Sequence, residues 1–145
     1  MALASYGKYS KKIQSKLNKF LKYDKKTGDF SLNPVLRFGG NRDTNPRFSE
    51  DFIKIFGKPL FNNKKISNYH LKLAFNVQWR LEEIVKLLVK NLIKISKISN
   101  LCLAGGVHMN CKLNGVLANL PEVKKIYIEE ASDILTKPTL SKSIS

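Results

Sequence analysis

Cysteine is scarce in this chain of 145 residues, which contains two. Cys102 and Cys111 are too few to form a zinc site by themselves, show no CxxC spacing, and give no indication of an oxidising compartment. Cys102 is predicted to be a small apolar core residue in a buried strand. Cys111 falls early in a predicted helix, where packing is the simpler role and a reactive thiol is the alternative.

Extended apolar stretches are also absent. No run approaches the ~20 residues that a membrane-spanning helix requires, and the opening M-A-L-A-S-Y-G-K has no long apolar segment. We therefore expect a cytoplasmic protein without a membrane partner. The content of 43% hydrophobic and 26% charged residues is ordinary for a globular protein, and the length allows one domain, or part of one.

Acidic residues are few beside the basic ones, with 11 Asp and Glu against 26 Lys and Arg and a net charge of +15. Such a balance would suit a nucleic acid or an anionic surface. However, the cations are mostly lysines spread over the whole chain, and they do not alternate with aromatic residues as a base-stacking surface requires. A solvated basic surface is therefore the preferred interpretation, and a nucleic-acid partner is not expected.

The most informative stretch, residues 100–114, is N-L-C-L-A-G-G-V-H-M-N-C-K-L-N. An apolar run at residues 101–104 predicts a strand, Gly105-Gly106 a tight turn, and the following apolar spacing a helix. The apolar positions of that helix are Val107, Met109, Leu113, Val116 and Leu117. A second β-branched run at 123–128 follows, so the topology predicted is strand, turn, helix and parallel strand with a right-handed crossover.

Two glycines at a strand-to-helix junction let the backbone approach a ligand, and helix N–H groups there favour an anion such as phosphate. On spacing alone, a turn without a ligand is the more frequent case, and no third glycine completes a dinucleotide-binding fingerprint. His108, beside the turn, is better placed as a candidate base than His70, although no acidic partner for it is evident.

Upstream, the chain predicts a short basic helix, a hairpin and a loop. Residues 8–21 carry apolar residues at helical spacing, and the runs 20–23 and 30–32 flank the turn residues of a β-hairpin. Residues 33–47 are rich in Gly, Asn, Asp and Pro and are predicted to form a loop. Three arginines in it either clamp an anionic substrate or stay solvated: Arg37, Arg42 and Arg47.

Two further helices follow. Ser49 is expected to cap a short one, with Glu50 and Asp51 favourable in its first turn. Residues 69–95 form the strongest helical pattern in the chain, and Trp79 is predicted to be core rather than a ligand platform. The predicted apolar face consists of Ala74, Val77, Leu81, Ile84, Leu88, Leu92 and Ile95. The predicted solvent face consists of Lys72, Asn76, Arg80, Glu83, Lys86, Lys90 and Lys94.

Three motifs together resemble the NodU/CmcH-type carbamoyltransferases. The run L-C-L-A-G-G-V-H-M-N-C-K-L-N-G is similar to the family's Gly-Gly-Val-x-x-Asn-Cys-x-x-Asn-Gly. Residues 1–7 resemble its Met-Gly-Leu-Ala-x-Tyr-Gly, with Ala2 in place of glycine, and residues 130–133 resemble its Ala-Ala-Ser-Asp. The resemblance covers residues 1–133 and depends on the order of the motifs.

This resemblance implies an α/β fold, part of an actin-like ATPase (ribonuclease H-like) subdomain with parallel strands, a long amphipathic helix and an N-terminal β-hairpin. In the family, carbamoyl phosphate and ATP give carbamoyl-adenylate, and the carbamoyl group passes to a hydroxyl of a small molecule. On matching positions, Gly105, Gly106 and Asn110 would lie against the nucleotide phosphates. Asp133 would be one ligand of a divalent metal, which is iron in related members.

The sequence departs from the family in three places. The family's upstream pair of metal-binding histidines is missing, and so is the domain that activates carbamoyl phosphate. Residues 134–145 resemble nothing in the family and are expected to be a disordered tail. We therefore expect a fragment that is inactive alone, binds neither ATP nor metal stably, has no catalytic residue of its own, and partners the remainder of a split enzyme.

Two other interpretations remain open at this point. One is a non-enzymatic basic module that binds an anion or a nucleic acid. The other is a truncated gene product whose uncovered sheet edge would favour aggregation.

Overall fold

The computed structural model describes residues 2–24, 26, 29–32, 48–60 and 65–129. The chain divides into two compact units, residues 1–97 and 98–145, and each is described by itself. The described residues form a mixed α/β structure with four α-helices, an antiparallel hairpin and a parallel strand pair. The loop at 33–47, the metal ligand predicted at Asp133 and the tail at 134–145 lie outside the described residues.

The first unit contains the predicted elements in the predicted order. It opens with a 3-10 turn at Ala2–Tyr6, which is followed by α1 (Lys11–Leu17), β1 (Leu21–Tyr23), β2 (Phe30–Leu32), α2 (Glu50–Phe56) and α3 (Asn68–Ser96). Strands β1 and β2 pair antiparallel, with Leu21 opposite Leu32, which confirms the hairpin. Phe20, predicted to begin the first strand, instead lies in the preceding turn and is buried.

Helix α2 begins where its capping residue predicts. The Ser49 hydroxyl oxygen accepts a hydrogen bond from the Phe52 backbone N–H at 3.2 Å, which satisfies one of the otherwise unpaired N–H groups of the first turn. The apolar face of α2 joins an aromatic cluster. The ring centroids of Phe20 and Phe56 are 5.3 Å apart, and those of Phe52 and Phe56 are 4.7 Å apart. These contacts hold α2 against the turn that precedes β1.

Helix α3 confirms the predicted length but not the predicted faces. Asn76 and Arg80, assigned to the solvent side, are 0% and 8% exposed, whereas Val77 and Ile95, assigned to the apolar side, are 50% and 80% exposed. Leu92 is also exposed. The predicted faces were therefore wrong at these positions, although Ile84 is buried as predicted. Asn76 and Arg80 are buried because the N-terminal segment brings its own polar groups against them.

The side chain of Asn76 makes that burial possible. Its Oδ1 accepts hydrogen bonds from the Ser10 backbone N–H at 3.0 Å and from Gln14 Nε2 at 3.1 Å. Its Nδ2 donates to the backbone oxygens of Lys8 at 3.0 Å and Lys72 at 2.7 Å. All four hydrogen-bonding positions of the amide are thus filled, so burying it leaves no polar group unsatisfied.

The second unit confirms the predicted strand–turn–helix–strand order. It contains β3 (Asn100–Leu103), α4 (Cys111–Ala118) and β4 (Lys125–Ile128), and β3 pairs parallel with β4, with Leu101 opposite Ile126. Its buried apolar residues are Leu101, Leu103, Leu113, Leu117 and Leu120. The prediction for Cys102 was wrong, because burial alternates along β3 and Cys102 lies on the exposed face.

Among the residues that the structure describes, no helix combines the length and the apolar content needed to cross a membrane.

Gly7 allows the N-terminal segment to approach α3 closely. A Cβ atom placed there would lie 2.5 Å from Phe75 Cβ and 2.8 Å from the Leu71 carbonyl carbon, and closer still to the Leu71 carbonyl oxygen. Because two of these atoms belong to backbone in the middle of a helix, they cannot move aside as a flexible side chain would.

Replacing Gly7 with alanine should therefore destabilise the first unit by about 1–3 kcal/mol, the usual cost of forcing an extra carbon into a packed region. The free energy of unfolding from urea titration measures this change. Ser5→Ala is the matched control, because Ser5 is exposed in the same segment. Equal stability of the two variants would contradict the close approach.

Candidate functional site

The turn after β3 is open on the side of its two glycines. Gly105 has φ 91° and ψ 168°, a conformation essentially restricted to glycine. A Cβ atom placed at Gly105 or at Gly106 would meet no heavy atom of the described residues within 4 Å. The backbone at Gly105 therefore requires glycine for conformation, and Gly106 faces space that no described part of the chain fills.

A one-turn 3-10 helix at Gly106–Met109 follows the glycines, and α4 begins only at Cys111. The His108 backbone N–H donates to the Gly105 carbonyl oxygen at 3.0 Å, which closes this turn. Val107 and Met109 are 53% and 70% exposed. Their predicted place on the apolar face of a helix was therefore wrong, because the 3-10 turn rotates them away from the positions that an α-helix would give them.

Asn110, predicted to contact phosphate, caps α4. Its Oδ1 accepts a hydrogen bond from the Leu113 backbone N–H at 3.1 Å. A phosphate oxygen is an acceptor, so any contact with it would have to come from the Asn110 Nδ2 group. The capping bond fixes the side chain beside the turn, and the phosphate contact stays a prediction.

Asn114 is a functional candidate to which sequence reasoning assigned no role. Its side chain is 9% exposed, its Nδ2 donates to the His108 backbone oxygen at 2.8 Å, and its Oδ1 lies 3.3 Å from His108 Nδ1. An amide oxygen can only accept, so the geometry assigns the proton to His108 Nδ1. The position of Asn114 within the Asn-Cys-Lys-Leu-Asn-Gly run was the only sequence signal for it.

The other candidates of the sequence have structural partners or lie outside the described residues. His70 Nδ1 accepts from the Ser67 backbone N–H at 3.2 Å and lies 2.7 Å from the Ser67 hydroxyl, so it closes the first turn of α3. Within the described parts of the chain, no three His, Cys, Asp or Glu side chains lie close enough together to hold a metal ion. Asp133 and the arginines at 37, 42 and 47 are not among the described residues.

The first unit contains a separate cleft of about 650 Å³ between the N-terminal segment, β1 and α3. Trp79, predicted to be core, is only half-buried and lines this cleft with Tyr9, whose ring centroid lies 5.1 Å away in an edge-to-face arrangement. The prediction that Trp79 is core was wrong, because α3 turns this residue toward a concave surface rather than toward another apolar layer.

A parallel strand pair with an open glycine turn at the end of its first strand is typical of α/β proteins that bind ligands at the carboxyl ends of their strands. The family model described as "Carbamoyltransferase N-terminus" matches residues 1–133. The chain belongs to this carbamoyltransferase family.

One similar protein comes from Synechocystis sp. (strain ATCC 27184 / PCC 6803 / Kazusa) and is named "Uncharacterized protein sll1178". It is 32% identical to this chain over 136 residues, an alignment that covers 91% of this chain and 21% of that protein. The chain thus spans about a fifth of the length of this relative.

The two glycines of the turn should respond differently to alanine. Gly105→Ala should lower the free energy of unfolding by about 1–3 kcal/mol, because its backbone conformation is strained for any residue with a Cβ. Gly106→Ala should change it by no more than about 0.5 kcal/mol, because the added methyl enters open space. Urea unfolding followed by circular dichroism measures both values, and an equal loss in both variants would contradict this geometry.

Proposed function

We propose that this chain forms part of a NodU/CmcH-type carbamoyltransferase, within an actin-like (ribonuclease H-like) subdomain. The reaction proposed is transfer of a carbamoyl group from carbamoyl phosphate to a hydroxyl of a small-molecule acceptor, with ATP consumed through a carbamoyl-adenylate. Membership of the carbamoyltransferase family supports the carbamoyl transfer. The ATP requirement, the subtype and the acceptor go beyond that membership.

The observation that supports the nucleotide site is the open turn at Gly105-Gly106. Backbone N–H groups bind phosphate well when no side chain stands between them and the ligand. At this turn neither glycine has a neighbour within 4 Å of where a Cβ would be, and Asn110 holds an amide beside it. The residues present therefore fit a phosphate group, with the Gly106 backbone and Asn110 Nδ2 as the expected donors.

His108 and Asn114 would serve this site by holding the turn in place. The two hydrogen bonds between them connect the 3-10 turn to α4, so the Gly106 backbone is fixed before a ligand arrives. A group held in position before binding loses less entropy when it binds. We therefore assign these two side chains to positioning, and we assign no general acid or base.

In the proposed reaction the phosphate of carbamoyl phosphate would be released, and the resulting carbamate oxygen would bond to the α-phosphorus of ATP as pyrophosphate leaves. AMP would then leave when the carbamoyl group passes to the acceptor hydroxyl, which loses its proton. A divalent metal held in part by Asp133, iron in related members, would act as a Lewis acid at phosphate oxygens. The proposed role of this chain is thus to bind the nucleotide phosphates, and the remaining parts of the reaction would come from further segments of a longer or split enzyme. The chain by itself is expected to transfer no carbamoyl group.

No stable complex with ATP is expected of this chain alone, so the proposal predicts weak ATP binding by the purified chain through the glycine turn. Gly106→Val should weaken ATP binding by about 10-fold or more, because the valine side chain would stand between the backbone N–H and the phosphate, and one lost hydrogen bond to a charged phosphate is worth about 1.5–3 kcal/mol. Isothermal titration calorimetry measures the affinity. Gly115→Val is the matched control, because it adds the same side chain at a glycine of α4 where a Cβ also meets no described atom within 4 Å.

An ATP affinity that Gly106→Val leaves unchanged would contradict the site. A steeply salt-dependent affinity for DNA or RNA that survives Gly106→Val would instead support the basic binding module. For the reaction itself, ATP-dependent transfer of a labelled carbamoyl group should require Asp133 in an active enzyme that contains this chain. Transfer that survives Asp133→Ala would contradict the metal role.

A further inference from the structure

The cleft of the first unit combines cations with aromatic rings. Its lining includes Lys11, Lys22 and Arg80 together with Tyr9, Tyr23 and Trp79, and none of the described residues that line it is acidic. Lys11 and Lys22 are exposed at the rim, whereas Arg80 is 8% exposed. A concave surface with charges of one sign concentrates ions of the opposite sign.

The hydrogen-bond partners of Arg80 among the described residues are all neutral. Its Nε donates to Gln14 Oε1 at 2.9 Å, and its Nη2 donates to the Gln14 backbone oxygen at 3.4 Å and to Asn18 Oδ1. Among the described residues no carboxylate forms an ion pair with Arg80, and its Nη1 has no hydrogen-bond partner. Burying a charge without an opposite charge is costly, so an anion in the cleft would offset part of that cost.

Aromatic rings flank the guanidinium. The Arg80 Cζ atom lies 5.6 Å from the ring centroid of Tyr23 and 6.0 Å from that of Trp79, and the Tyr9 ring stands edge-on to Trp79 at 5.1 Å. Tyr9 is 53% exposed, so its ring is accessible from the cleft. A planar group could therefore pack against Tyr9 and Trp79 while its charged end reaches Arg80.

We propose that this cleft binds a small phosphate monoester that carries a planar ring. Three cations with no acid among the described lining residues suit a doubly charged phosphate better than a singly charged carboxylate, and the Nη1 group of Arg80 can donate a charge-assisted hydrogen bond to a phosphate oxygen. The phosphate would lie against Arg80, Lys11 and Lys22, and the ring against Tyr9 and Trp79. This site is independent of the proposed function, since its residues lie in the first unit and the glycine turn lies in the second.

Trp79 is the single tryptophan of the chain, so its fluorescence reports on this cleft alone. Titration of the full chain with phenyl phosphate should give a saturable change in that fluorescence. Phenol and inorganic phosphate should each bind about 10-fold or more weakly, because each lacks one of the two groups that the cleft recognises. Benzoate should bind more weakly than phenyl phosphate because it has less charge.

Lys11→Gln and Lys12→Gln form a matched pair, since both lysines are exposed neighbours in α1 and only Lys11 lines the cleft. Lys11→Gln should weaken phenyl phosphate binding about 2- to 5-fold, the range expected for an exposed charge, and Lys12→Gln should leave it unchanged. Arg80→Gln should abolish binding, and its urea unfolding curve tests whether the variant is folded. The lysine pair keeps the proposal testable if it is not.

Gly106→Val should leave phenyl phosphate binding unchanged, so this proposal and the ATP proposal can fail separately. The cleft proposal would be overturned by the absence of a saturable Trp79 signal, by phenol binding as tightly as phenyl phosphate, or by equal effects of Lys11→Gln and Lys12→Gln.

Discussion

The first unit depends on one buried amide, the side chain of Asn76. It is fully buried, and it joins three parts of the backbone, at Lys8, Ser10 and Lys72. A buried polar group that loses one hydrogen-bond partner costs about 1–3 kcal/mol of folding free energy. The four hydrogen bonds of Asn76 therefore stabilise the fold together. If the N-terminal segment moved away from α3, only the hydrogen bond to Lys72, which lies within α3, would remain. The other polar groups would have to form hydrogen bonds with water instead.

The same amide fixes the neighbouring charge. Gln14 donates to Asn76 through Nε2 and accepts from Arg80 through Oε1, so the position of Arg80 follows from the position of Asn76. The chain of groups is neutral up to the guanidinium, and no described carboxylate ends it. No described carboxylate therefore neutralises the Arg80 charge, which faces the cleft. In this respect Arg80 differs from the many exposed lysines that contribute to the net charge of +15.

Sequence patterns predicted the elements well and their surroundings less well. The extent of α3 (Asn68–Ser96, 29 residues) could be predicted because apolar residues recur along it at helical spacing. The parallel pairing of β3 and β4 could be predicted because a turn and a helix connect the two strands. The burial of Asn76 and Arg80 does not follow, because their partners lie more than 60 residues away in sequence. Hydrophobic periodicity assigns polar residues to the solvent side and cannot take account of hydrogen-bond partners that are so far away in sequence.

The prediction at Gly105 and Gly106 was right about the turn and wrong about the residues that follow it. The turn could be predicted because glycine is the residue type with the greatest backbone freedom. The φ of 91° at Gly105 requires that freedom. The 3-10 turn that follows was not identified, since apolar residues at 107 and 109 fit a helical pattern equally well.

This contrast explains why the two candidate sites differ in how visible they were. A phosphate at the glycine turn would be held by neutral backbone groups, so the sequence signal is the absence of side chains. An anion in the cleft would be held by a guanidinium, and that signal could not be recognised among 26 cationic residues until the structure showed that Arg80 is buried. Added salt should therefore weaken binding in the cleft through screening of its exposed lysines more than binding at the glycine turn, where fixed amides rather than mobile charges make the contact.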